Sequence, residues 1–326
     1  MTTMTQGQRK ASSWRSLLNL PDARILLPLV GVTLFFYALN HTLLAAATVT
    51  SILSTVAYSA LVGMGVAILL IAGEIDLSTG PVMGLCAVFA AWLMKLAGWP
   101  TWAGIAGALL LALGVGLVNG LLTVKAGAPS LVITLAVGIG VRGAAYQFTR
   151  GVPIYPLPPE IGALGALRPL GISVTFVMML VVLVAAQVLL SQTRWGAAIY
   201  ATGGNPVAAE RCGIRAGRVK ILCFMLTSLL AGCAGLLVMC LIKSGDPAIG
   251  GGGLELTILT GVIVGGVSFF GGRGSALGAF LGILLLQVLF TGLIVVHVKP
   301  DVHYPISGAI LALIAAVDAD KQRRRE

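Results

Sequence analysis

The chain has 326 residues, of which 58% are hydrophobic and 10% charged, with a formal net charge of +10. A soluble domain carries about 25% charged residues, so a water-soluble globule is excluded; the apolar runs are continuous, which excludes an outer-membrane barrel built from segments of about ten residues with alternating polarity. The basic residues sit in short polar segments and tails, as membrane topology requires, so the positive balance does not point to nucleic acid.

Residues 1–24 are polar and basic, with Arg9, Lys10, Arg15 and Arg24. Ten apolar stretches follow, at about 25–40, 49–72, 80–97, 101–123, 129–148, 171–190, 219–242, 254–270, 275–296 and 303–318. A span takes about 20 apolar residues. The pattern predicts an all-α polytopic membrane protein with about ten transmembrane helices. A cytoplasmic segment, 1–24, precedes one transmembrane domain, 25–318, and a basic cytoplasmic tail, 319–326, follows it. No small-residue cleavage site follows the first stretch, so it is expected to stay as a helix rather than leave as a signal peptide.

Charge sets the expected orientation. With ten spans and both termini in the cytoplasm, 15 of the 21 basic residues fall inside, among them Lys125, Arg194, Arg211, Arg215, Arg218, Lys220 and Arg273. The six outside are Lys95, Arg142, Arg150, Arg168, Lys243 and Lys299. This is the distribution that the positive-inside rule favours.

The organising stretch is Gly73-Glu74-Ile75-Asp76-Leu77-Ser78-Thr79-Gly80-Pro81. Glu74 and Asp76 are the only acidic residues between Asp22 and Glu160, and carboxylates beside lipid-length helices need a reason. Gly73 can end one helix, Ser78 or Thr79 can cap the next, and Pro81 fits its first turn. Phe270-Gly271-Gly272-Arg273-Gly274-Ser275 looks similar and hints at duplicated halves.

The polar loop 191–218 contains a second helix signal. Asn205 can cap a helix with Pro206 at its first position, and Gly213 can end it, which predicts a short amphipathic helix of about two turns. It is either a surface loop obeying the charge rule or a docking helix for a soluble partner. No Walker A pattern occurs in the chain, so ATP-driven work would need another subunit. The five cysteines (Cys86, Cys212, Cys223, Cys233, Cys240) form no C-x-x-C, and the three histidines are scattered. No metal site and no disulfide framework are expected. Trp92, Trp99 and Trp102 flank one turn and read as membrane-interface anchors.

Gly73-x-Ile75-Asp76-Leu77-Ser78-x-Gly80 resembles the signature of the permease subunits of bacterial ribose-type sugar ABC importers. Asn119-Gly120 and Pro129-x-x-x-x-Thr134-Leu135 look like the family's next blocks. Gly204-Asn205-x-x-Ala208-Ala209-x-x-x-Gly213-Ile214 is similar to its cytoplasmic coupling loop. Gly265-Gly266-x-Ser268-x-x-Gly271-Gly272-Arg273-Gly274-Ser275-x-x-Gly278 resembles its late glycine-rich signature. The matches run in order from about 50 to 318. Glu74 stands where the family commonly has glycine, and Phe269-Phe270 where it has a smaller, more polar pair.

The resemblance implies a multi-pass protein of the bacterial inner membrane that imports a monosaccharide or similar polyol and catalyses no covalent chemistry. Its partners would be an ATP-binding cassette subunit, a periplasmic solute-binding protein and a second permease chain, in a homo- or heterodimer. The chain would bind no cofactor; ATP and Mg would sit on the partner ATPase. Coupling would fall to Gly204, Asn205, Ala208, Ala209, Glu210, Arg211, Gly213 and Ile214. Gly73, Asp76, Ser78, Gly80, Gly271, Gly272 and Gly274 would form the signature loops.

Polyols want neutral donors and acceptors, so Asn119, Thr134 and Gln147 are candidates for the translocation path; the other reading is that they join helices by hydrogen bonds. Asp76 is expected to accept bonds within its own loop or to bridge to a basic residue of the ATPase, and Glu74 to face water. Arg142 either snorkels to headgroups or lines the outer vestibule. Glu255 is expected at the outer start of the eighth span, in a helix-dipole position. Two rivals are a permease for another small polar solute, such as a branched-chain amino acid or nucleoside, and an ion-driven secondary transporter.

Overall fold

The computed structural model describes residues 25–168 and 172–323. The segment 1–24 and the last three residues of the tail, 324–326, lie outside the described residues. Thirteen α-helices are described: α1 Leu26–Leu39, α2 Ala46–Ile71, α3 Thr79–Lys95, α4 Thr101–Ala126, α5 Ser130–Thr149, α6 Pro159–Ala166, α7 Val174–Gln192, α8 Arg194–Gly204, α9 Pro206–Arg211, α10 Ala216–Ile242, α11 Leu254–Val264, α12 Ala276–Val295 and α13 His303–Arg323. Among the described residues the only strand-like pairing is one antiparallel bridge, Ile154 with Gly245.

Six helices are long and apolar enough to cross a membrane: α2, α4, α5, α7, α10 and α12. Three more are apolar but shorter: α1, α3 and α11. The eighth predicted span shows why. The run 254–270 reads as one span by hydropathy, but its helix stops at Val264. Gly266 follows at φ +89°, a backbone that breaks the helix. The polar loop 191–218 differs in the other direction, since it carries the eleven-residue helix α8 as well as the short α9.

α2 is the hub. Sixteen of its residues are buried, with none of Val56, Ala57, Ala60, Val62 and Met64 open to solvent. A helix apolar on every side is a buried one. α10 packs against it where Gly65 admits the Thr227 backbone, and the Thr227 hydroxyl donates to the Gly65 carbonyl at 2.9 Å. α4 and α5 bury one stripe each. On α4 the stripe is Gly104, Ala108, Ala112, Gly116, Asn119, Gly120 and Thr123, and small residues there let the α10 backbone approach. A Cβ on Gly116 would lie 2.6 Å from the Phe224 carbonyl oxygen, and one on Gly120 2.9 Å from Ile221 Cα. The opposite faces expose Leu110, Val118, Leu122, Leu135 and Ile139, as expected of helices bathed in hydrocarbon.

The basic residues divide between the two ends of the bundle. Lys125, Arg215 and Arg218 line one hollow, and Arg194 joins Arg215 and Arg218 in a second beside it. Lys220 pairs with Glu74 at the same end. At the opposite end Trp92, at the close of α3, packs against Phe148 of α5. The Ile154–Gly245 bridge and Gly162 against Lys243 belong to that end too.

Candidate functional site

Three connections meet at the basic end, and glycine is what lets them. The end of α8 supplies Gly203 and Gly204, the break after α2 supplies Gly73, and the loop between α11 and α12 supplies Gly271 and Gly272. A Cβ on Gly203 would overlap the Ile71 carbonyl oxygen, and one on Gly271 would lie 2.9 Å from both the Gly203 carbonyl and Gly73 Cα. The Gly272 N–H donates to the Ile71 carbonyl at 2.9 Å, closing an orphan acceptor at the end of α2. Tyr200 of α8 donates its hydroxyl to the Gly274 carbonyl at 2.6 Å. The break after α2, the turn that joins α8 to α9 and the loop between α11 and α12, separate in sequence, are one junction in space.

The loop beyond this junction is built by caps. Thr193 Oγ1 accepts from the Gly196 N–H at 3.0 Å to start α8. Asn205 Oδ1 accepts from the Ala208 N–H at 3.0 Å to start α9, with Pro206 at its first position. Gly213 turns the chain at φ +84°, and the Ile214 N–H returns to the Ala209 carbonyl at 3.0 Å. Gly204, Asn205, Ala208, Glu210, Arg211 and Gly213 are exposed, Ile214 is half-buried and Ala209 is buried. One face of α9 is thus open and the other rests on the protein.

The break does more than connect α2 to α3. After Gly73 the chain climbs back along α5 in extended steps. The Ile75 N–H donates to Ser130 Oγ at 3.2 Å, the Leu77 N–H donates to Thr134 Oγ1 at 3.1 Å, and Gly138 faces Ser78. Residues 130, 134 and 138 share one helical face, which gives the segment its track. Asp76 is buried, and its Oδ1 accepts from the Ser78 N–H at 2.7 Å and the Ser78 hydroxyl at 2.6 Å. Asn119 donates to Ser78 Oγ at 2.8 Å. Asp76 lies in the connection, outside both helices, held in its loop by the two Ser78 bonds. Ser78 does not cap α3, because its hydroxyl is committed to Asp76.

Glu74 departs from its expected place. It is not water-facing: Lys220 Nζ lies 2.6 Å from Glu74 Oε1, and the two side chains are only 21% and 13% exposed. Lys220 sits one turn into α10, just past the turn at Gly213, where a charge inside an apolar helix was the available signal.

A second re-entrant stretch lies across α3. Gly245 packs on Ala87 and Ala91, Gly84 faces the Ile249 carbonyl, and Gly80 faces the Gly250 carbonyl and Glu255. The segment 245–250 therefore runs down α3 from its Ala91 end to its Gly80 end before α11 begins. Irregular backbone at such depth is tolerated only against protein or a cavity. Glu255 is in the first turn of α11, as expected, but at the level where α3 starts rather than at a membrane surface. Arg142 of α5 donates from Nη2 to the Gly250 carbonyl at 2.8 Å, so it holds this stretch instead of snorkelling. Two short helices thus begin at one level and run to opposite ends.

Of the three path candidates, Asn119 and Thr134 are fully buried and hold the break in place, while Gln147 is exposed near the end of α5. Among the described residues no group of His, Cys, Asp and Glu is arranged to hold a metal ion.

A helical bundle of membrane-length helices, two re-entrant stretches and one capped, outward helix hairpin define a multi-pass membrane transport protein. The chain belongs to the family described as the branched-chain amino acid transport system / permease component, whose model matches residues 48–315. It is similar to the ribose import permease protein RbsC of Escherichia coli K12, 30% identical over 330 residues, covering 99% of this chain and 100% of the relative. The RbsC protein of Bacillus subtilis is 32% identical over 291 residues, 87% of this chain and 88% of that one. The autoinducer 2 import system permease protein LsrC of E. coli K12 is 30% identical over 293 residues, 89% and 85% of the two chains. No solved structure matches. The chain is therefore a transporter permease subunit of the bacterial inner membrane.

Proposed function

We propose that this chain is the transmembrane subunit of an ABC importer that moves a monosaccharide or similar polyol inward, driven by ATP hydrolysis on a partner subunit. The observation that carries this reading is the capped, exposed helix α9, whose hairpin rests through Gly203 on the break after α2 and through Gly204 on Gly272. An ATPase closing on α9 would move a lever that ends inside the bundle. The whole-length likeness to proteins named as ribose import permeases supports a sugar over the branched-chain amino acids of the family's description.

On this reading the basic end is cytoplasmic, as are both termini, and α1, α3, α11 and α13 join the six long helices to make about ten crossings. Gly204, Asn205, Ala208, Glu210, Arg211 and Gly213 present the docking face, with Ala209 and Ile214 seating the helix. ATP and Mg belong to the ATPase; a periplasmic binding protein and a second permease chain complete the machine. Ion-driven transport is the weaker reading: Glu74 is neutralised by Lys220 and Asp76 is bonded within its loop.

The test is capture of the tagged chain in mild detergent with mass spectrometry of its companions, alongside a variant with 204–214 replaced by a flexible linker. The expected result is an ATPase subunit with the first and none with the second. A stable chain that captures no ATPase in either form would overturn the reading.

A further inference from the structure

We propose that the basic end carries a binding site for an anionic phospholipid, in a groove between α7, α8 and α10. Two adjoining hollows form it, and they share Trp195 and Val219. The inner one, about 270 Å³, is walled by Ile68, Leu189, Leu222 and Leu226 and is almost wholly apolar. The outer one, about 510 Å³, is bordered by Arg194, Arg215 and Arg218.

Position along the helices matches a lipid rather than a soluble anion. Leu189 lies three residues before the end of α7 and Ile68 three before the end of α2, while Leu226 lies ten residues into α10. The apolar hollow is therefore at acyl-chain depth. Arg194 opens α8, Arg215 immediately precedes α10 and Arg218 is in its first turn, so the guanidinium groups are at headgroup depth. Trp195, half-exposed, stands at the boundary, where indole rings anchor.

The charge is also unspent. Among the described residues no ion pair involves Arg194, Arg215 or Arg218, whereas Lys220 nearby is paired. Guanidinium forks suit phosphate oxygens, and basic pockets between membrane helices on the cytoplasmic side take anionic headgroups. Leu222, 44% exposed, leaves the inner hollow open sideways to the bilayer, so a chain can enter without crossing water.

The lipid measurement uses the isolated full chain and needs no ATPase, so its failure and the failure of the importer reading are distinguishable. Delipidated protein is exposed to equal amounts of palmitoyl-oleoyl phosphatidylglycerol and phosphatidylcholine, and native mass spectrometry counts what each chain retains. Phosphatidylglycerol is expected to be retained preferentially. Its retention should fall about fivefold for each arginine changed to glutamine, and less in the Arg→Lys versions, which keep the charge and lose the fork. Leu222→Trp, which fills the inner hollow and leaves every arginine, should also lower it. The replaced arginines are exposed, and an unchanged unfolding midpoint confirms that the fold stands. Equal retention of the two lipids overturns the proposal. So does displacement of the lipid by excess glycerol 3-phosphate, which would make this a phosphate site. A triple Arg→Gln variant that loses ATPase capture but keeps its phosphatidylglycerol would assign the arginines to the partner subunit instead, and would overturn it as well.

Discussion

Lys220 and Glu74, 146 residues apart in sequence, meet at 2.6 Å. The pair ties the first turns of α10, which follow α9, to the break that leads into α3. Removing one partner leaves a half-buried charge alone. Lys220→Met is expected to cost about 1.5–3 kcal/mol, the range for a hydrogen bond to a charged group, read as a lower thermal unfolding midpoint in detergent. The swapped double variant Glu74→Lys/Lys220→Glu should recover part of it. A Lys220→Met protein as stable as the parent would show that the pair holds nothing together.

The glycine junction makes a steric prediction with an internal control. Gly203→Ala puts a methyl group into the Ile71 carbonyl, and overpacking of this kind costs about 1–3 kcal/mol. Gly140 and Gly143 on α5 have open space around them. Alanine there should leave the unfolding midpoint within about 0.5 kcal/mol of the parent. Equal effects at all three positions would contradict the packing described for α8.

Asp76 anchors its own loop through Ser78. Asp76→Asn keeps an acceptor for Ser78 and should hold most of the stability, whereas Asp76→Ala strips the acceptor and should cost about 1–3 kcal/mol. Unfolding midpoints of the three proteins in detergent decide it; equal midpoints for the parent and Asp76→Ala would show that the loop does not depend on this carboxylate.

Arg142 holds the second re-entrant stretch through one carbonyl, that of Gly250. Arg142→Ala should free that stretch and reduce maximal uptake in reconstituted vesicles about tenfold or more, roughly the loss expected when one half-buried charged hydrogen bond of about 1.5–3 kcal/mol goes. Capture of the ATPase should be unchanged, because α9 is at the other end of the lever. If ATPase capture falls in step with uptake, the defect is in folding and not in the path.

What could be read from the chain before folding was whatever local chemistry decides. Gly73 ends a helix, Asn205-Pro206 starts one and Gly213 turns the chain, each for a reason contained within a few residues. The all-helical membrane class follows from composition. The half-length of α11 was hidden, because Leu254–Phe270 is apolar enough on average to read as one span despite Glu255, and hydropathy does not register the break at Gly266. Helix α8 was hidden in a polar, glycine-containing loop, although Thr193 at its start is an ordinary cap. The meeting of Gly73, Gly203 and Gly271 could not be read at all, since it depends on three connections arriving at one point. Asn119 and Thr134 were legible as polar groups in apolar helices, but only the fold shows that they hold the break.

The stretch 245–250 has no helix of its own to occupy its backbone, and it lies along α3, which is itself too short to count among the long spans. A ribosome-bound translocon releases helices to lipid by their apolarity, one after another. Neither α3 nor this stretch is self-sufficient in that process. The chain must keep α3 close for about 150 residues of further synthesis, until Gly245 to Gly250 can be laid against it. Biogenesis of this protein is thus expected to include a late step inside the membrane, in which the segment 245–250 settles against a helix made much earlier.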